Sequence, residues 1–380
     1  MRKSLPGKRI VAAGTLVTLL AATTAAPALA ATASPLQRAL DRVTTQGGAP
    51  GAEAVVADHG RVTEARSGVG DVTTRTPYPR DAKFRAGSIT KTFVATVVLQ
   101  LAAEEKIDLD APIERYLPGL LTGNGNDGRK ITVRHVLQHT SGLYSYTEDL
   151  LGTDPEAVRH RGAEPGELVA MALRHPPLFA PGSGWSYSNT NYIVAGMLVE
   201  KLTGHSAATE ITRRITRPLG LRGTSLPGRG DERLPAPHAR GYVPGPADFT
   251  EFDPSIAGTA GALVSTGRDL DAFYTALLGG RLLPAAQLAE MKRTVPVPGE
   301  PGTDYGLGLF HRTLPDGTRY WGHGGDIFGF ATLAGVLDTG RSATVSVNED
   351  PAPDAVRDDT EAAFAVALSR KPAGTVGTGR

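Results

Sequence analysis

The stretch SITKTFVATVVLQLAA, residues 88–103, is apolar at Phe93, Val94, Val97, Val98 and Leu101, the spacing of a largely buried helix. Such a helix has to lie inside a core, so its first turn is held at the edge of that core. That turn carries Ser88 and, three residues on, Lys91. Serine is also a preferred N-cap and lysine a common exposed residue, so the pair alone fits either a capped helix or a nucleophile beside its base. Lys91 lies between Thr90 and Thr92 at the margin of an apolar run, so partial desolvation of its amine is expected. Desolvation lowers an amine's pKa, and the i,i+3 spacing sets it beside the hydroxyl. The helix N-terminus adds a backbone N–H for an oxyanion. S-x-x-K occurs once in the chain.

Around this helix the chain reads as one large unit. Leu36 to Gln46 is a short helix, and GAEAVVADHGRVTEARSGVGD alternates apolar and polar residues around Gly60, as a two-stranded hairpin does. From Asp108 to about Leu288 the pattern is helical and loop-rich. Strand patterns return in YGLGLFHRTL, GFATLAGVLD and SATVSVN. A terminal helix runs from Ala355 to Ser369, with Asp354 as its cap and Val356, Ala363, Phe364 and Ala367 on one face. The expected fold is α+β: an antiparallel sheet built from both chain ends (about 36–107 and 291–370), flanked by helices, with an all-helical region (about 108–290) inserted. Residues 371–380, KPAGTVGTGR, read as a disordered tail.

The first thirty residues read differently. Arg2, Lys3, Lys8 and Arg9 precede an apolar run from Ile10 to Ala26, and Ala28-Leu29-Ala30 matches a signal-peptidase site. Residues 1–30 are therefore expected to be a signal peptide, leaving a secreted domain over 31–370 with no membrane anchor. The chain has no cysteine, which excludes a thiol nucleophile and Cys-ligated zinc. A net charge of +1 and the lack of a basic block with interleaved aromatics argue against nucleic acid as a partner.

Two further motifs follow. Tyr187-Ser188-Asn189 precedes a helix starting near Thr190 and is the one Tyr-x-Asn in the sequence. Alone it fits a capped helix after a Pro-Gly loop, but a phenol beside an ammonium can lose its proton below ~10 and act as a base. His323-Gly324-Gly325 ends an apparent strand, where glycines let a ligand approach the backbone. In this order, S-x-x-K, Y-x-N and a cationic residue before x-Gly form the pattern of the penicillin-recognising serine hydrolases. The chain resembles the class C β-lactamases and, more closely, the soluble exported D-alanyl-D-alanine carboxypeptidases. Supporting stretches are ITVRHVLQHTSGLYSYT, YSNTNYIVAGMLVEKLTGHS, TAGALVSTGRDLDAF and YGLGL.

The resemblance implies a β-lactamase/DD-peptidase-like fold, no cofactor, a monomer, and an acyl-enzyme on Ser88. Lys91 and Tyr187 would move the protons, Tyr187 as base, with the resting proton open between the two, and Asn189 would bind Lys91 and a substrate amide. Backbone N–H groups of Ser88 and Asp326 would form the oxyanion hole. His323 stands where most of the superfamily has lysine, so a charge that titrates near ~6.5 is expected there. Phe310 replaces the arginine expected after Tyr-Gly-Leu-Gly-Leu, with Arg312 two positions on, and Asp326 replaces a hydroxyl residue. Substrate contacts are thus expected from Asn189, His323, Gly324, Gly325, Asp326 and Phe310. The substrate implied is a D-alanyl peptide, with esters, D-aminoacyl amides or β-lactams as alternatives on the same machinery, β-lactams also as acylating inhibitors. From a different class, His135 and His139 on the helix after Thr132 have the i,i+4 spacing of two zinc ligands but lack the glutamate of H-E-x-x-H.

Overall fold

The computed structural model describes residues 33–151 and 155–369, together with Met1. The stretch read as a signal peptide and the 371–380 tail lie outside the described residues. Among the described residues no helix is long and apolar enough to cross a membrane.

The chain begins with α1 (Pro35–Thr45), capped by Ser34, whose Oγ accepts from Gln37 N–H. The hairpin β1 (Gly51–Asp58) and β2 (Arg61–Asp71) follows, then β3 (Thr76–Pro77). The buried helix α2 (Thr90–Ala103) comes next, and α3 (Val133–Leu137), α4 (Asn189–Thr203) and α5 (Gly267–Leu278) lie in the central half. The other strands of the large sheet are β4 (Val295–Pro296), β5 (Thr303–Tyr305), β6 (Phe310–Thr313), β7 (Arg319–Ile327), β8 (Phe330–Leu337) and β9 (Ser342–Val347), before α6 (Asp354–Leu368).

One nine-stranded antiparallel sheet joins the two chain ends, in the order β4-β5-β6-β7-β8-β9-β1-β2-β3. The seam is β9 against β1, with Ala52 opposite Val347 and Val56 opposite Ala343. Alternation along β9 explains the layering. Ala343, Val345 and Val347 face a core shared with Leu40 and Val43 of α1 and Val356 and Phe364 of α6. Ser342 and Thr344 face α5, where Thr344 Oγ1 donates to Asp271 Oδ1 at 2.9 Å. The sheet is therefore covered on both faces, and β9 is buried along its whole length. Helix α5, from within the stretch read as all-helical, supplies one of those covers. That stretch also holds short strand pairs, Thr122–Gly123 with Asn126–Asp127 and Tyr242–Val243 with Ala247–Asp248. Two-residue ladders are too short for alternation to register in a sequence.

Helix α2 is apolar on all sides and buried from Thr90 to Leu99. Before it, Gly87–Ile89 forms a 3-10 turn, so Ser88 is inside a tight turn and makes no side-chain cap. This turn abuts β7. His323-Gly324-Gly325 lies in the middle of that strand, not at its end, because pairing continues through Asp326–Ala331 and Ile327–Phe330. A Cβ on Gly325 would stand 2.0 Å from Ala86 O and 3.3 Å from Ser88 N; one on Gly87 (φ +51) would stand 2.8 Å from Asp326 N. The two backbones thus touch, and only glycine permits it.

Gly325→Ala should lose about 1–3 kcal/mol in denaturant titration, as overpacking against fixed backbone does. Gly324→Ala, whose added Cβ would meet nothing nearer than 3.5 Å, should unfold like the wild type.

Candidate active site

Ser88 is half-buried, and its hydroxyl lies between Lys91 and Tyr187. Lys91 Nζ is 2.8 Å from Ser88 Oγ, 2.7 Å from Asn189 Oδ1 and 2.7 Å from Ala260 O. The side chain is fully buried. Burial holds the Lys91 amine well below its ordinary value, with Asp326 pulling the other way. The contacts fit that state. The Asn189 and Ala260 oxygens can only accept, so they take the two N–H bonds of a neutral amine. As a neutral amine it would turn its lone pair to the Ser88 hydroxyl, to which Nζ donates at 2.8 Å when protonated.

Tyr187 shares a hydrogen bond with Ser88. Its ring lies beneath Lys91 Nζ at 4.7 Å from the centroid and packs against His139 at 4.3 Å. Desolvation pushes the phenol above its ordinary value, against the Ser88 hydrogen bond. Which of Tyr187 and Lys91 holds the proton at rest is open from the sequence; burial here favours the phenol, with the Ser88 hydrogen bond and Arg312 acting the other way.

Asn189 opens α4. Its N–H donates to Ser145 Oγ at 3.0 Å and its Nδ2 to Thr147 Oγ1 at 3.1 Å, which aims Oδ1 at Lys91. His323 is buried, 3% exposed. Its Nδ1 is 2.6 Å from Gly324 O, which can only accept, so Nδ1 carries the proton and Nε2 accepts from Tyr305 OH at 3.3 Å. Burial pulls its pKa down to about 3, against the hydrogen bond to Gly324 O. The expected titration near ~6.5 is thus corrected: buried, with both nitrogens engaged, the ring is neutral at physiological pH.

A cavity of about 270 Å³ reaches from Ser88, Tyr187 and Phe310 past His323, Gly324 and Asp326 to Arg357 on α6. Arg312 also lines it: two residues beyond Phe310 on the same face, its guanidinium stacks 4.2 Å over the Phe310 ring. A second cavity, about 340 Å³, opens from Ser88 and Asn189 on the other side and is walled by Tyr146, Ile256, Ile327 and Phe328. Asp326 borders both and is solvent-exposed. Desolvation in the cleft raises its carboxyl above the usual range, opposed chiefly by Arg357 and Arg312.

The structure brings Ser88, Lys91, Tyr187, Asn189, His323, Gly324, Asp326 and Phe310 to one cleft, with Gly325 against the Ser88 turn. It separates the paired histidines. Helix α3 ends at Leu137, and His139 takes a left-handed conformation (φ +61) beyond it. Its Nδ1 accepts from Ser188 N–H at 3.2 Å, while His135 Nδ1 accepts from Thr132 N–H at 3.3 Å. Sequence reasoning missed Ala260 O, Tyr305, Ser145 and Thr147. All four lie in quoted stretches (TAGALV, SGLYSYT, YGLGL), but nothing local distinguishes a backbone carbonyl or a hydroxyl that aims another residue.

A family model described as Beta-lactamase matches residues 36–367. Esterase EstB of Burkholderia gladioli is 34% identical over 56% of this chain and 56% of its own length. Penicillin-binding protein 4 of Amycolatopsis lactamdurans is 31% identical over 68% of this chain and 69% of its own. The chain thus spans a little over half the length of the first of these curated relatives. A solved D-stereospecific amidohydrolase from Streptomyces sp. superposes with a TM-score of 0.80 at 44% identity, covering 87% of this chain and 97% of that one.

Lys91→Met should lower the rate of Ser88 acylation about 10²–10⁴-fold in a p-nitrophenyl ester burst, the range for losing a general base. The His323 ring carbon resonances should stay flat from pH 8 to 5. Since the unfolded chain takes up this proton near ~6.5 and the folded chain only near 3, His323 should withdraw stability progressively as pH falls between those values. Thermal unfolding of wild type against His323→Asn over that range checks it.

Proposed function

The chain belongs to the beta-lactamase family of serine hydrolases, and from that premise we propose that it cleaves amide or ester bonds of D-amino acids whose α-ammonium is free. The observation that carries this reading is Asp326, a carboxylate exposed beside Ser88 on the border of both cavities. With His323 neutral, the strand presents a negative charge where a carboxypeptidase needs a positive one. Glu148, exposed at the rim of the apolar cavity, adds a second. At ~4 Å near a surface such a carboxylate attracts a cation, and repels an anion, by roughly 1–4 kcal/mol. The likeness to the Streptomyces amidohydrolase supports the same class.

In this reaction Ser88 Oγ attacks the acyl carbonyl and gives its proton to Lys91 Nζ. The oxyanion forms against the Ser88 and Asp326 N–H groups, and Tyr187 O–H protonates the leaving amine as the C–N bond breaks. Lys91 returns the proton to Tyr187. Water then attacks the ester, with Lys91 accepting its proton and passing it to Ser88 Oγ. The product acid leaves, and the enzyme is restored.

A second reading, D-alanyl-D-alanine carboxypeptidase, is favoured by Arg312. Its Nε has no hydrogen-bond partner, and the guanidinium lines the cavity beside Phe310.

A D-phenylalanyl p-nitroanilide should lose about 10- to 100-fold in kcat/KM when its α-amine is acetylated, the value of a charge-assisted hydrogen bond. Asp326→Asn should erase most of that difference. Faster release of D-alanine from acetyl-D-alanyl-D-alanine than turnover of the free amine substrate would favour the carboxypeptidase instead.

A further inference from the structure

Asp350 is a buried acid that the acylation chemistry does not use. It follows β9, and its backbone is fixed on both sides: its N–H donates to Tyr242 O at 3.0 Å, and its carbonyl accepts from Gly329 N at 3.0 Å. The side chain is 7% exposed. One carboxyl oxygen accepts the Ala352 N–H, and Oδ1 has no hydrogen-bond partner. Buried polar atoms left unpaired are costly and uncommon, so an orphan oxygen on a residue that lines a cavity calls for a donor.

The cavity it borders is the one of about 340 Å³ that opens on Ser88 and Asn189. Its walls include Tyr146, Leu150, Ile256, Ile327 and Phe328, which offer the carboxyl no counter-charge. Burial, with Asp326 and Glu349 adding repulsion and Arg357 opposing, pushes Asp350 up to about 8, so without an added cation beside it the carboxyl holds a proton at neutral pH. An occupant that suits both the apolar wall and the orphan oxygen has an alkyl stem ending in a cation.

Resting on the free-amine reading above, we propose that Asp350 is a specificity-determining residue for the acyl half of the substrate, and that this cavity takes a D-amino acyl group whose side chain is an alkyl ammonium, as in D-lysyl and D-ornithyl derivatives. The stem covers the apolar wall and the terminal ammonium donates to Oδ1, while the carboxyl releases its proton to water. Asp326 remains to meet the α-ammonium, so the two acids read two different cations on one substrate.

The test compares D-lysyl and D-norleucyl p-nitroanilides, which differ only in the terminal ammonium. Wild type should favour D-lysyl by about tenfold or more in kcat/KM, the size of one charge-assisted contact. Asp350→Asn should bring the two within about twofold while leaving D-norleucyl turnover within about threefold of wild type. Equal turnover of the two by wild type, or a D-lysyl preference that survives Asp350→Asn, overturns the proposal. If Asp350→Asn fails to fold, Glu148→Gln on the same cavity decides: a D-lysyl preference lost in that variant overturns the proposal, and one retained there supports it. Turnover of D-norleucyl without a D-lysyl preference overturns this inference alone, whereas turnover of neither overturns the free-amine reading with it.

Discussion

A lysine amine buried among three oxygens is the contact on which the rest of this site depends. Lys91 is fully buried, and its partners come from three separate parts of the chain: Ser88 in the turn before α2, Asn189 at the head of α4 and Ala260 in the helical turn Gly258–Gly261 between α4 and α5. Burial removes the charge that would make the amine inert as a base. The two obligate acceptors then leave its lone pair for the serine. Every other feature either seals this pocket or aims one of its members. Ser145 and Thr147 orient Asn189, Tyr187 and Tyr192 cover the amine with their rings, and α2 is packed on all sides so that its first turn cannot swing outward.

The second constraint is geometric. Because β1 and β9 close one sheet from both ends of the chain, β7 is carried past the Ser88 turn at backbone contact distance. That contact sets the N–H groups of Ser88 and Asp326 near each other, and it explains glycine at 87 and 325. It also fixes what the side chain after Gly325 does, since residue 326 emerges into the cleft between the two cavities. The chemistry of acylation and the choice of substrate are therefore set by adjacent residues of one strand.

Much of the fold was legible in the sequence. The all-round apolar pattern of α2, the alternation of β1 and β2 and the strand signals near the C-terminus were enough to infer a sheet from both ends. Ser88, Lys91, Tyr187 and Asn189 were legible as unique motifs in a fixed order. Electrostatic state was legible only at Lys91, whose place at the margin of an apolar run foretold its desolvation. Sequence gives a residue its reference pKa, but His323 and Tyr187 depart from theirs because of what surrounds them, and that shell comes from Tyr305, Gly324, His139 and Lys91. Asp350 escaped notice for the same reason: NEDPAP reads as a polar turn, and only the packed structure shows its carboxyl to be buried and half-satisfied.

The neutral Lys91 amine is tested most directly by the pH dependence of Ser88 acylation, followed as the p-nitrophenol burst in single turnovers from pH 5 to 10. A base whose pKa is depressed by burial gives a rate that reaches its plateau well below the ordinary lysine value of ~10.4 and stays level above it. A rate that keeps climbing about tenfold per pH unit to the top of that range would mean that Lys91 is an ordinary ammonium at rest, and would contradict the account.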